Sequence, residues 1–270
     1  FFHGVKIIVI DELHAFAGDD RGWHLLSVFS RIQKLANTDL QRLGLSATVG
    51  NPEKMLEWVS FGSERPKIVV APPPATKTTA EVQLDYVGTL ENAAKIISLL
   101  HVGEKRLVFC DSRSRVEQLA LHLRALDIDT YVSHSSLGIE ERTAAEQAFA
   151  EKQNCVIVAT SSLELGLDVG DLDRVIQIDA PFSVSSFMQR MGRTGRRSGT
   201  TTNCLFLATN EEGLLRAASI LLLWKKGFVE PVNAPAKPLH ILAQQIMALI
   251  LQEKGIGKSS IMEWLKDVPA

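Results

Sequence analysis

Apolar residues along this chain fall into short continuous runs, separated by longer stretches in which they recur every three or four positions. The first run, residues 5–10, is broken only by Lys6 and stops abruptly at Asp11-Glu12. That is the profile of a strand covered on both faces, with acids at its carboxyl end. A helical period over about 23–36 follows, then a short strand at 42–45, a helix opened by Asn51-Pro52, and a strand at 67–70. From about Glu81 the alternation restarts, with strands predicted at 82–87, 106–110, 129–134, 155–159, 174–178 and 203–207. The segments between them are amphipathic: in 112–125, Val116, Leu119, Ala120 and Leu123 share one face. Strands alternating with helices predict an α/β chain built on doubly wound parallel sheets.

Punctuation divides the chain. Ala71-Pro72-Pro73-Pro74 and the residues up to Ala80 read as a linker, because consecutive prolines donate no backbone hydrogen bonds and hold an extended form. Residues 1–71 then form one domain, 72–80 the linker and 81–230 a second, complete α/β domain. The first has only about three strands, fewer than an open sheet usually needs, so its front half is expected outside these residues. Residues 231–238 are a second proline-bearing connector. An apolar helix over 239–251 and another over about 259–265, across a glycine turn, predict the start of a helical or winged-helix module in 231–270.

Composition narrows the class. With 270 residues, 46% hydrophobic and 22% charged, the chain reads as globular, and no apolar run approaches the length that spans a bilayer. A cytoplasmic home is the expectation. Cys110, Cys155 and Cys204 lie far apart in β-like runs and read as buried thiols, not as zinc ligands or disulfides. A net charge of -2 excludes nucleic-acid binding by bulk charge. Any such contact must be local, and Arg190, Arg193, Arg196 and Arg197 supply one basic segment. Trp58, Trp224 and Trp264 read as core, Trp23 is open between core and surface, and His101, His122 and His240 read as packing or surface residues.

Candidate chemistry sits at strand ends. Asp11-Glu12-Leu13-His14 stands where open α/β sheets place ligands. One acid there can hold a magnesium ion on a phosphate chain while its neighbour orients the attacking water; paired acids that merely end a strand are the alternative. Ser46-Ala47-Thr48 can hydrogen-bond to that acidic segment or simply form a turn. The segment 160–168 includes Thr160, Gly166 and Asp168, and 189–196 reads Gln189-Arg190-Met191-Gly192-Arg193-Thr194-Gly195-Arg196. Arginines three apart beside glycines can stabilise charge on a γ-phosphate, or form a solvated basic loop.

In this order the segments resemble a superfamily-2 DEAD/DEAH-type helicase. Asp11-Glu12-Leu13-His14 is similar to the Walker B box, Ser46-Ala47-Thr48 to the third motif, Leu107 to Arg113 to the fourth, Thr160 to Asp168 to the fifth and Gln189 to Arg196 to the sixth. His134-Ser135-Ser136-Leu137 with Arg142, and the run Pro238 to Gln245, resemble the large-helicase-related (Lhr) branch. The resemblance implies tandem RecA-like domains, the first truncated, ATP and Mg2+ as cofactors, and single-stranded DNA or a DNA/RNA hybrid as partner, followed 3′ to 5′.

It also implies roles. Asp11 and Glu12 are metal and water residues, with Gln189, Arg193 and Arg196 catalytic. His14, Ser46, Thr48, Gly166 and Asp168 lie on the nucleotide side, and Ser112, Arg113 and Thr160 touch backbone phosphates. One departure stands out. No Gly-x-x-x-x-Gly-Lys-Ser/Thr loop precedes the acids, and at Gly257-Lys258-Ser259 the first glycine position holds Gln252. This chain alone is therefore expected to be inactive, the missing front half of the motor being its first partner. A non-catalytic or split helicase-like subunit, or the motor of a restriction or defence complex, is the alternative.

Overall fold

The computed structural model describes residues 2–71, 80–138, 140, 143, 147–148, 151–164, 172–195, 197, 199–265 and 268. Two compact units emerge: Phe1–Pro73 with Glu230–Ala270, and Pro74–Val229.

In the first unit, β1 (Ile7–Ile10) and β2 (Gln41–Gly44) pair in parallel, Ile7 opposite Gln41. Parallel pairing requires a crossover, supplied by α1 (Leu13–Ala17) and α2 (Asp20–Ala36). The Asp19 carboxylate accepts from Arg21 N at 2.7 Å and so starts α2. Trp23, Leu26 and Phe29 of α2 bury against Ile10, Leu13 and Ala17, and against Met55 and Val59 of α3 (Pro52–Val59). Trp23 is thus a core residue; its Nε1 donates to Pro235 O at 2.8 Å.

Residues 67–70 do not form the strand their β-branched pattern predicts. Ile68 and Val70 are more than three-quarters exposed. A strand exists only where a neighbour completes its hydrogen bonds, and among the described residues of this unit only β1 and β2 pair.

Residues from Glu230 onward pack on this same unit. Asn51 Nδ2 donates to Val232 O, and Val232 N to Asn51 Oδ1, both at 2.8 Å. In α8 (Leu239–Glu253), Gln245 Nε2 meets His24 Nδ1 at 2.8 Å. Beside α9 (Lys258–Leu265), Ser30 Oγ donates to Trp264 O at 2.7 Å, and the Lys34 ammonium lies 4.4 Å from the Trp264 ring centre. Lys258–Ser259–Ser260 opens α9.

The second unit is a six-stranded parallel sheet in the order β3 (Glu81–Tyr86), β8 (Asn203–Ala208), β7 (Arg174–Ile178), β4 (Lys105–Phe109), β6 (Cys155–Ala159), β5 (Thr130–Ser133). Both faces are covered, which is why its central strands are continuous apolar runs. Leu107, Phe109, Ile157, Val175 and Phe206 face α6 (Val184–Met191) and α7 (Glu211–Lys225). Val108, Val156, Val158, Ile176 and Leu207 face α4 (Leu90–Leu99) and α5 (Arg113–Arg124). Trp224 packs edge-on against Phe187, ring centres 5.5 Å apart. In this order β4 connects onward to β5 on one side and its neighbour β7 to β8 on the other, so the loops leaving β4 and β7 diverge. Such a switch point opens a crevice at the carboxyl ends of the strands.

Candidate functional site

In the first unit the acidic segment leaves β1 through a sharp turn. Asp11 Oδ1 accepts from Glu12 N at 2.9 Å, and Glu12 adopts left-handed backbone angles, φ 50° and ψ 44°. For a residue with a Cβ that conformation costs about 1–2 kcal/mol. It persists because the turn is tied on both sides: Leu45 N donates to Ile10 O, and Leu13 N to Leu45 O, each at 2.8 Å. The same two bonds bring Ser46 beside the acids. Its Oγ lies 3.2 Å from His14 Nδ1, and Glu12 Oε2 lies 3.5 Å from that nitrogen. Glu12, His14 and Ser46 thus form one connected cluster with Asp11 adjacent. Thr48 is exposed and makes no hydrogen bond to it.

In the second unit three loops meet along the carboxyl rim. Ser112 follows β4, where its Oγ caps α5 by accepting from Arg115 N at 3.4 Å. Arg113 is exposed and donates from Nη2 to Ser135 Oγ, beyond β5, at 2.8 Å. Thr160 N donates to Ser133 O at 3.1 Å. Since β4, β6 and β5 are neighbours, Ser112, Arg113 and Thr160 lie along one stretch of this rim.

The arginine segment is less exposed than its sequence suggests. Arg190, read from sequence as part of a basic contact surface, is a buried anchor. Its Nε donates to Glu164 Oε1 at 2.7 Å, its Nη1 bonds Gln177 Oε1, and its guanidinium lies 4.8 Å from the Phe109 ring centre. An amphipathic α6 forces this, because Val184, Phe187 and Met191 bury on the same face as Arg190. Arg193 is also buried, and its Nη2 donates to the Glu164 carbonyl. Gln189 is half-buried on the last turn of α6. Gly166, Asp168 and Arg196 lie outside the described residues, as does Arg142.

Two acids that sequence reasoning passed over organise this rim. Glu164 is one; a lone acid in a segment facing an arginine segment was the available signal. Asp179 is the other. It takes Arg115 Nη2 at 2.7 Å and Thr209 N at 2.7 Å, and it excludes any side chain at Gly213, whose added Cβ would stand 2.8 Å from Asp179 Cγ. An acid ending the apolar run of β7 was its only mark in the sequence. A cavity of about 180 Å3 at the end of β4 is lined by Asp111, Ser161, Glu164, Phe182, Ser186 and Arg190. Cys110 also borders it, and burial pushes that thiol up to about 12.

Comparison with known proteins gives these positions a context. Residues 1–56 match the DEAD/DEAH box helicase family, and 90–198 match the helicase conserved C-terminal domain. The Lhr helicase/probable uracil glycosylase of Mycolicibacterium smegmatis is 29% identical, over 92% of this chain and 19% of that protein. ATP-dependent helicase Lhr-Core protein 2 of Thermococcus barophilus is 30% identical, over 92% of this chain and 31% of its own length. The chain thus spans under a third of these relatives. Among solved structures, Mycobacterium smegmatis helicase Lhr bound to ssDNA and AMP-PNP superposes with a TM-score of 0.87 at 29% identity, covering 99% of this chain and 37% of that one. The DUF1998 helicase MrfA bound to DNA shares the fold, with a TM-score of 0.76 at 23% identity over 98% and 39% of the two chains. Two helicase family matches in the order the motifs predict, and Lhr relatives across nine-tenths of the sequence, show that this chain belongs to the superfamily-2 DEAD/DEAH-type helicases, in the Lhr group.

Proposed function

We propose that these residues belong to an ATP-driven motor that moves 3′ to 5′ along single-stranded DNA and opens DNA or DNA/RNA hybrid duplexes. The observation that carries this reading is the strained acid turn at the end of β1, with Glu12 and Ser46 both at His14. Strain of that kind persists where function requires a fixed geometry.

Asp11 fits a magnesium site. Its side chain is exposed and Oδ2 accepts no hydrogen bond among the described residues. Magnesium is commonly held by one or two carboxylates with water and phosphate completing the shell. When bound, the ion neutralises charge developing on the β- and γ-phosphates. Glu12 orients and deprotonates the hydrolytic water, and its approach to His14 holds it in place for that role. Ser46, through His14, and Thr48 relay the state of the acids. Arg193 and Arg196 stabilise a transferring phosphoryl group, with Gln189, Gly166 and Asp168 on the nucleotide side. Ser112, Arg113 and Thr160 hold backbone phosphates without reading sequence.

In domain terms, 1–71 is part of one RecA-like domain, 81–230 the second, and 231–270 the start of a helical or winged-helix module docked on the first unit. No helix among the described residues is long and apolar enough to cross a membrane. Residues 1–270 contain no phosphate-binding glycine-lysine loop. The chain alone therefore gives no hydrolysis above background, and the assay belongs on the full-length protein. Displacement of streptavidin from biotinylated single strands tests the motor: ATP-dependent release from the 5′ end and not the 3′ end is expected. No ATP-dependent release from either end overturns translocation, and release from the 3′ end alone overturns the polarity.

A further inference from the structure

None of the roles above uses Phe182, which is 83% exposed in the turn between β7 and α6. The turn that carries it is anchored: Ala180 and Pro181 are buried, and Ser183 Oγ accepts from Ser186 N at 3.1 Å to start α6. An apolar residue just before a helix cap ordinarily folds back on the fourth helical residue. Here that residue is Phe187, which is buried and packs its ring against Phe206 and Trp224, centres 5.3 and 5.5 Å away. Phe182 is left outside the core.

One face of its ring is nevertheless organised. The Arg216 guanidinium of α7 lies over it, 5.0 Å from the ring centre. Arg216 Nη2 in turn donates to Glu212 Oε1, one turn earlier in α7, at 2.5 Å. A cation over an aromatic face is attracted to the ring quadrupole and so holds the ring in place. What remains is a flat apolar surface open to solvent, of the kind on which any base can stack, because every base has a π-face.

The place of Phe182 in the fold selects the occupant. It lines the cavity of about 180 Å3 at the end of β4, where the loops leaving β4 and β7 diverge. Asp111 and Ser161 line the same cavity, and each adjoins in sequence a residue read as holding a backbone phosphate, Ser112 and Thr160. Two carboxylates, Asp111 and Glu164, face one guanidinium, Arg190, in its wall. That balance disfavours a phosphate in the cavity and favours a neutral base.

We propose that Phe182 is a base-stacking platform for single-stranded DNA: phosphates run past Ser112, Arg113 and Thr160 while a base turns onto the Phe182 ring. The inference rests on the reading of those three residues as backbone contacts.

The test measures binding of single-stranded DNA by the full-length protein over a series of salt concentrations, with Phe182→Ala, Phe182→Leu and Phe182→Trp beside Arg113→Ala. Phe182→Ala should weaken binding by about tenfold, and it should keep the wild-type salt slope, because the ring carries no charge. Phe182→Leu, apolar but without a π-face, should lose nearly as much, and Phe182→Trp should stay within about twofold of wild type. A merely structural turn residue would tolerate leucine better than the larger tryptophan. The discriminating ligand is a strand of equal length built from abasic residues, which keeps the phosphates and lacks the bases. Wild type and Phe182→Ala should bind it equally.

An equal loss on the abasic and the ordinary strand would make Phe182 a packing residue for another part of the protein and overturn the inference. Wild-type affinity in Phe182→Leu would overturn stacking in the same way. Wild-type affinity in Phe182→Ala beside a weakened Arg113→Ala overturns the inference alone. Wild-type affinity in both overturns the inference and the reading beneath it.

Discussion

Replacing Glu12 by glycine should make the first unit more stable while ending its chemistry. Glu12 sits at φ 50°, where the Cβ of an L-residue crowds the following carbonyl at a cost of about 1–2 kcal/mol. Glycine adopts those angles freely, but loses about 0.4–1 kcal/mol by giving the unfolded chain more freedom. The contact given up is the 3.5 Å approach to His14 Nδ1 by a side chain 38% exposed. A partly exposed pair of that kind is worth at most about 1 kcal/mol and commonly less. At their midpoints the terms leave Glu12→Gly about 0.3 kcal/mol more stable than wild type, with limits of about 1 kcal/mol less and about 1.6 kcal/mol more. Glu12→Gln, which keeps the Cβ and therefore the strain, serves as the reference with no gain. Urea unfolding of residues 1–270 in a Trp224→Phe background, followed by tryptophan emission, reports on this unit because Trp23, Trp58 and Trp264 all belong to it. A Glu12→Gly variant less stable than Glu12→Gln by more than about 1 kcal/mol would show that the turn is relaxed, and would remove the argument that function holds it there.

Other consequences follow from close contacts and burial. At Gly22→Ala the new Cβ would collide with the Phe16 carbonyl oxygen and stand 2.8 Å from Trp58 Cζ2, so thermal unfolding should register a loss of about 1–3 kcal/mol. Arg113→Ala should weaken binding of single-stranded DNA by the full-length protein and flatten the salt dependence by about 0.7 in the log–log slope; an unchanged slope would remove Arg113 from the phosphate contacts. Burial holds the Cys110 and Cys204 thiols at about 12, so neither forms thiolate at pH 8, and iodoacetamide should label them only after urea unfolding.

What could be read from the sequence follows from what kind of signal each feature leaves. Strands β4, β6, β7 and β8 are buried on both faces, and two-sided burial writes a largely continuous apolar run, broken in β7 only by the buried Gln177. Residues 67–70 carry a similar run, yet a run records only the tendency to extend and says nothing about a partner strand. Trp23 was undecided because Gly22 and His24 flank it; its burial comes from Ile10, Leu13, Met55 and Val59 on other elements, and its indole N–H is satisfied by Pro235 O, more than two hundred residues away. The acids at 11 and 12 were legible as a strand end, but the left-handed turn that aims Glu12 arises from the tie between β1 and Leu45. Arg190 misled for a physical reason. Charge counts treat every arginine as solvated, whereas a buried acid contributed by another loop turns one of them into a core residue. Glu164 and Asp179 left only a lone acid each in the sequence, since each acquires its meaning from partners brought in by the sheet.

The account depends most on Glu12 as the residue that activates water for ATP hydrolysis. The direct test is DNA-stimulated ATP turnover by the full-length protein, comparing wild type with Glu12→Gln, with binding of ATP and of single-stranded DNA measured alongside. Turnover reduced by about 100-fold or more, with both ligands still bound, is the predicted result. Wild-type turnover in the glutamine variant would contradict it.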